Sequence, residues 1–139
     1  MADSDISRQL SETVRKAAQN HTLLAICGSG SKRFYAGDIE GETLDVTGHR
    51  GIVTYEPTEL VVTARAGTPL AELEAALADK GQMLAFEPPW FGDGATLGGT
   101  IACGFSGPRR PYAGAARDFV LSTRIINGKG EILHFGGEV

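Results

Sequence analysis

Apolar residues at Ile6, Leu10, Val14, Ala17 and Ala18 recur at helical spacing, with polar positions between them. The spacing predicts an amphipathic helix over residues 6–19, with Ser4 or Asp5 available to cap its start. The next apolar run, Leu23-Leu24-Ala25-Ile26, is short and uninterrupted. It predicts a buried strand over 22–27 that runs into a glycine-rich turn. Thr43–Val46 reads as a short strand. The β-rich runs Gly51–Tyr55 and Leu60–Ala66 flank Glu56-Pro57-Thr58-Glu59, which predicts a hairpin. Leu70, Leu73, Ala76 and Leu77 return to helical spacing, with Thr68 as the expected cap, Pro69 at the first position, Glu72 nearby and Gly81 as the stop. Residues 86–95 read as a loop around Pro88-Pro89-Trp90, and Leu97–Cys103 as a short helix of small residues. Phe119–Ile126 reads as a long strand. Asn127-Gly128 predicts a tight turn that returns the chain along Glu131–Phe135.

Helices and strands in this order predict an α+β fold with mixed sheets and flanking helices, not an alternating doubly wound sheet. The 139 residues are expected to form one domain: an N-terminal helix within 1–20, a first small part over 22–67 and the remainder over 68–139. A hydrophobic share of 42% with 22% charged residues is ordinary for a globular chain, but 19 glycines are not. That is nearly twice the usual share of about 7%. The net charge is −4, and Lys and Arg are dispersed apart from Arg109-Arg110. The dispersal argues against a nucleic-acid surface, which needs a basic stripe. No apolar run is long enough to span a bilayer, and the acidic start Met1–Asp5 lacks the apolar core of a signal peptide, so a cytoplasmic location is expected. Cys27 and Cys103 have no Cys-x-x-Cys spacing; two buried free thiols fit better than a disulfide. His21, His49 and His134 are too scattered for a metal site.

The glycines concentrate where chemistry is expected. One loop, Cys27-Gly28-Ser29-Gly30-Ser31-Lys32, follows the first strand; another, Ala95-Thr96-Leu97-Gly98-Gly99-Thr100, opens the short helix and continues through Ala102-Cys103-Gly104 to Ser106-Gly107. Glycine lets backbone approach a ligand closely. Free amides at such turns are anion cradles, and Thr96 adds a hydroxyl. Neither loop alone is specific. The first lacks the third glycine and the following helix of a dinucleotide fingerprint, and Lys32 is misplaced for a phosphate-binding P-loop. The pair, in this order, points to one large phosphorylated ligand gripped from two sides.

With these pieces in place, the chain resembles the FAD-binding domain of the vanillyl-alcohol oxidase and p-cresol methylhydroxylase type. The matching pieces are Gly28–Ser31, the hairpin Gly51–Val53 to Val61–Gly67, the helix after Thr68, Thr96-Leu97-Gly98-Gly99, and Arg117–Leu121 leading to Asn127–Glu131. Within that family it is most similar to the FAD-binding subunits of bacterial glycolate oxidase complexes. The residues that carry this are Gly48–Val53, Gly81–Leu84, Glu87–Pro89, Ala102–Gly104, Ser106-Gly107-Pro108-Arg109-Arg110-Pro111 and His134–Val139. The resemblance implies an FAD-dependent oxidoreductase module for a small 2-hydroxy acid. It would work beside a larger flavoprotein subunit and an iron–sulfur subunit, with membrane association only through the complex. The alternative is an interaction subunit that keeps the flavin fold without binding flavin. The family's domain continues past a point equivalent to Val139, so a C-terminally incomplete domain, inactive alone, is expected.

The resemblance also implies site residues. Gly28, Ser29, Gly30 and Ser31 would present amides and hydroxyls to the FAD pyrophosphate. Lys32 would neutralise a phosphate, against the alternative of an exposed, solvated amine. Thr96, Gly98 and Gly99 would hold the phosphate or ribityl side, or make a tight helix–sheet contact. Ala102, Cys103 and Gly107 would pack near the ring or ribityl chain. Pro88, with Pro89 and Trp90, would wall the flavin or an interface. Tyr112 would stand near the flavin, and Asp118 would accept from the adenine or ribose or else cap local structure. Arg109 and Arg110 are expected to meet a partner subunit. The first loop has no His, so the FAD would be held without a covalent bond. No catalytic base and no metal ligand is expected in the chain; the redox chemistry would be the flavin's.

Overall fold

The computed structural model describes residues Ser4–Gly137. The outer residues of the acidic start and of the His134–Val139 run, 1–3 and 138–139, lie outside the described residues. The first helix, α1 (Ser7–Gln19), buries Leu10 and Ala17 as its periodicity predicts. Asp5 serves its first turn: the carboxylate accepts from the Ser7 amide at 2.9 Å and from the Ser7 hydroxyl. The same carboxylate faces His49, Arg65 and Arg124 at 3.7, 3.6 and 3.8 Å. The Ser7 hydrogen bonds, followed by the charges of His49 and Arg65, hold its pKa at about 2, against an ordinary value of 3.8. A depressed pKa means that this contribution to stability is complete above pH 4 or so and is lost as pH falls towards about 2. Asp5→Asn should therefore lower the urea midpoint at neutral pH, with the gap to the parent chain closing as pH falls from about 4 to about 2. A gap independent of pH would show that the carboxylate charge contributes nothing.

The strands form three separate two-stranded pairs among the described residues. β1 (Leu24–Cys27) runs parallel to β2 (Glu42–Asp45), from Leu24 opposite Glu42 to Cys27 opposite Asp45. A parallel pair requires a crossover. Here it includes a one-turn helix, α2 (Arg33–Ala36), directly after the first glycine loop, where the sequence gives no clear helix. β3 (Ile52–Glu56) and β4 (Val61–Ala64) form the predicted antiparallel hairpin, with a register irregularity between Ile52 and Thr54.

α3 (Leu70–Ala78) carries the core. Leu70, Leu73 and Leu77 are buried with Ala95, and Ile52, Tyr55, Val62, Leu84, Trp90 and Leu97 pack around them. Thr68 does not cap this helix. Its hydroxyl is turned to the hairpin, accepting from the Gly51 amide at 2.9 Å and facing the Gly51 carbonyl at 3.2 Å. Glu72 likewise pairs with Arg50 at 2.6 Å instead of serving the helix start.

α4 (Leu97–Cys103) is the predicted small-residue helix, followed by α5 (Arg110–Ala113). The long strand predicted over 119–126 is shorter: Ala116–Phe119 is a 3-10 turn, and β5 spans Ser122–Ile126. The buried Ser106 hydroxyl accepts from the Ala116 amide at 2.9 Å, which anchors the turn that interrupts the apolar run. β6 (Ile132–Gly136) pairs antiparallel with β5. The loop between them turns on Asn127, whose side chain accepts from Lys129 and Glu131 amides, and on Gly130 at φ +75°, so the left-handed glycine is Gly130 and not Gly128. Gly130 packs against Ser11 and Arg15 of α1, which joins the N-terminal helix to this hairpin. Cys27 and Cys103 are both free and are half-buried, less enclosed than expected.

Candidate functional site

The two glycine loops meet in space. A Cβ placed on Gly28 would lie 3.1 Å from the Thr96 hydroxyl, and one on Gly94 would lie 3.0 Å from the Ser29 Cβ. Segments about seventy residues apart are thus fitted glycine against side chain at two adjacent points. Thr96 is extended and caps α4: its hydroxyl accepts from the Gly99 amide at 3.2 Å. A Cβ on Gly99 would also approach that hydroxyl at 3.1 Å. Thr96 Oγ1 is therefore the point on which Gly28 and Gly99 converge. Directly behind it Thr100 is fully buried, and its hydroxyl has no hydrogen-bond partner among the described residues.

The first loop presents unused donors. Among the described residues, the amides of Ser29, Gly30, Ser31 and Lys32 have no acceptor within the chain, whereas the Gly30 carbonyl accepts from Arg33. Successive unpaired amides around a glycine at φ +75° make a concave anion cradle. Ser29 is exposed and Ser31 half-buried. Lys32 is only 8% exposed as a residue and has no ion pair among the described residues, although its amine is not enclosed. A lysine without an ion pair next to unpaired amides suits an anion at that loop.

Other glycines have a different cause. A Cβ on Gly98 would strike Ala66 at 2.7 Å, and the Gly98 amide donates to the Ala66 carbonyl at 2.7 Å; this is a tight contact between the start of α4 and the turn after β4, in place of the expected helix–sheet contact. A Cβ on Gly107 would lie 2.0 Å from the Glu87 carbonyl, so chain-to-chain packing, not a ligand, accounts for that glycine. Ala102 is exposed and Cys103 half-buried at the end of α4. Pro88 is buried, and Trp90 packs against the α3 core while donating to Glu74. Burial raises the Glu74 pKa, and the Trp90 hydrogen bond opposes the rise. Tyr112 is 93% exposed and is not enclosed with the loops. Asp118 accepts from the Ala115 amide at 2.9 Å, which is the capping alternative. Arg109 reaches Glu87 of its own chain at 3.7 Å. Arg110 and Arg117 edge an open cleft of about 510 Å³ floored by Ile101, Leu121 and Phe135. Sequence reasoning missed Gly94 and Thr100; the Gly92-Asp93-Gly94 run was the available signal for the first, and nothing marked the second. Among the described residues no group of His, Cys, Asp or Glu could hold a metal ion. No helix there is long and apolar enough to cross a membrane.

Two glycine loops that meet on a shared threonine, in a fold of small paired sheets, match a known class. The chain belongs to the FAD binding domain family, whose profile matches residues 6–136. It is 57% identical over all 139 residues to glycolate oxidase subunit GlcE of Escherichia coli (strain K12), and spans 40% of that protein's length. Among solved structures it superposes on Phl p 4.0202, a glucose dehydrogenase, with a TM-score of 0.76 at 18% identity, covering 96% of this chain and 28% of that one. It also superposes on alkyldihydroxyacetonephosphate synthase, with a TM-score of 0.75 at 23% identity, covering 92% and 25%. These likenesses establish the α+β fold of FAD-binding flavoproteins. FAD is the family's cofactor, and the unpaired amides of the first loop are the chain's available donors for an anionic group.

Proposed function

We propose that the chain is the FAD-binding part of a glycolate (2-hydroxy acid) oxidase complex, working beside a larger flavoprotein subunit and an iron–sulfur subunit. One observation carries this reading: 57% identity to a glycolate oxidase subunit across every residue of the chain. The meeting of the first loop with Thr96 supports it, because it brings the unpaired amides of Ser29, Gly30, Ser31 and Lys32 beside the second glycine loop. In this reading FAD, when bound, supplies the electron transfer. The amides of Ser29, Gly30 and Ser31 bind the pyrophosphate, and the Lys32 ammonium offsets its charge. Thr96 and Gly99 form the second side, with Ala102, Cys103, Pro88, Tyr112 and Asp118 as the outer candidates, while Gly98 and Gly107 serve packing within the chain. The complex resides in the cytoplasm. The chain should quench FAD fluorescence on titration and co-purify with the larger flavoprotein and iron–sulfur subunits. Absence of both would overturn the proposal.

The flavin is held without a covalent bond, because Ser31 and Lys32 stand in the first loop, which carries no His. After acid denaturation of the flavin-loaded protein and ultrafiltration, the yellow colour should pass the membrane. Flavin retained with the polypeptide would refute non-covalent attachment.

A further inference from the structure

Four aromatic rings stand outside the hydrophobic core and link the segments that carry the candidate site. Phe34 and Tyr35 belong to α2, directly after the first glycine loop; Phe91 precedes Gly94 and Thr96; Phe105 follows α4. Phe34 meets Phe91 edge-on at 5.0 Å, Phe91 meets Phe105 at 6.0 Å, and Tyr35 meets Phe105 at 5.1 Å. Core burial does not explain them: Phe34 is 68% exposed, Tyr35 66% and Phe91 50%. Phe91 also adopts φ +46°, a left-handed conformation that is costly for a bulky residue. Such strain persists only where the surroundings over-determine it. Here Phe91 lies between two rings, three residues before the Gly94–Ser29 contact and five before the Gly28–Thr96 contact.

We propose that Phe91, held by Phe34 and Phe105, is a positioning residue that sets the separation of the two FAD loops. The inference rests on the reading of the site as an FAD seat. The rings act through one another, fixing the distance between the two loops. A clamp of this kind acts as a unit, so losing either half of the Phe34–Phe91 pair should have nearly the effect of losing both.

The test is an FAD fluorescence titration of the chain, well below its melting temperature, with Phe34→Ala, Phe91→Ala, their double variant, Phe91→Gly and Phe91→Tyr. Each alanine change should weaken FAD binding about tenfold, and the double variant should be no weaker than about the worse single. Phe91→Tyr should retain parent affinity. Phe91→Gly separates ring from strain, because glycine accepts φ +46° freely; the variant should fold and still bind FAD as weakly as Phe91→Ala. Parent-like affinity in Phe91→Gly, or additive losses in the double variant, would overturn the clamp while leaving the FAD reading intact. A parent chain that binds no FAD would overturn both.

Discussion

Gly28→Val is expected to reduce FAD affinity by about tenfold to a hundredfold. The first added carbon would stand 3.1 Å from Thr96 Oγ1, tighter than ordinary contact, and the branched side chain beyond it presses further on Thr96. Overpacking of this kind costs about 1–3 kcal/mol. Each 1.4 kcal/mol or so is a factor of ten in affinity when it falls on the bound geometry. Displacing Thr96 also removes the acceptor of the Gly99 amide, so both sides of the seat are lost together. Titration of FAD by fluorescence reads the change. Gly128→Val is the control, because a Cβ there meets open space. Equal affinity in Gly28→Val and the parent would mean that FAD is not seated where the loops meet.

Leu70→Ala should cost about 2–5 kcal/mol of folding stability. Leu70 is fully buried at the centre of the only buried apolar cluster described, and its amide is tied to the Ala95 carbonyl at 2.7 Å. Against a typical margin of about 5–15 kcal/mol, the change leaves a chain near its unfolding threshold. Met83→Ala, at a residue 67% exposed, should stay within about 0.5 kcal/mol of the parent. Urea midpoints measure both. Similar midpoints for the two variants would contradict α3 as the organising element.

Much of this was legible because periodicity and punctuation agree. The stripes of α1 and α3 gave those helices nearly to the residue, and Pro57 between two β-rich runs gave the first hairpin. The Thr96-x-Gly-Gly start gave α4, but the Thr96 hydroxyl and the Gly99 amide, expected to face a ligand, bond to each other as the helix cap. Failures came where a tertiary partner outbid a local rule. Thr68 has the sequence setting of a cap, but the Gly51 backbone takes its hydroxyl. Phe119–Leu121 is apolar enough for a strand, but Ser106 and Asp118 hold the preceding residues in a turn. The convergence of two loops was expected as a pair, yet its detail depends on Gly94 and Ser29, which no spacing rule connects. Gly107 shows the opposite case: a glycine credited to a ligand is required by the Glu87 carbonyl.

Among the described residues the three strand pairs share no hydrogen-bonded ladder. In a continuous sheet, neighbouring strands enforce one another's register, and opening one exposes the rest. Here each pair lacks that support, and the boundary between the β1–β2 pair and the segment leading into α4 is crossed at the Gly28–Thr96 and Ser29–Gly94 contacts. A molecule seated at those contacts would act as mortar between separately hinged blocks. The amides of β1 and β2 would then slow their exchange with solvent when the seat is filled, although no ligand atom need reach them.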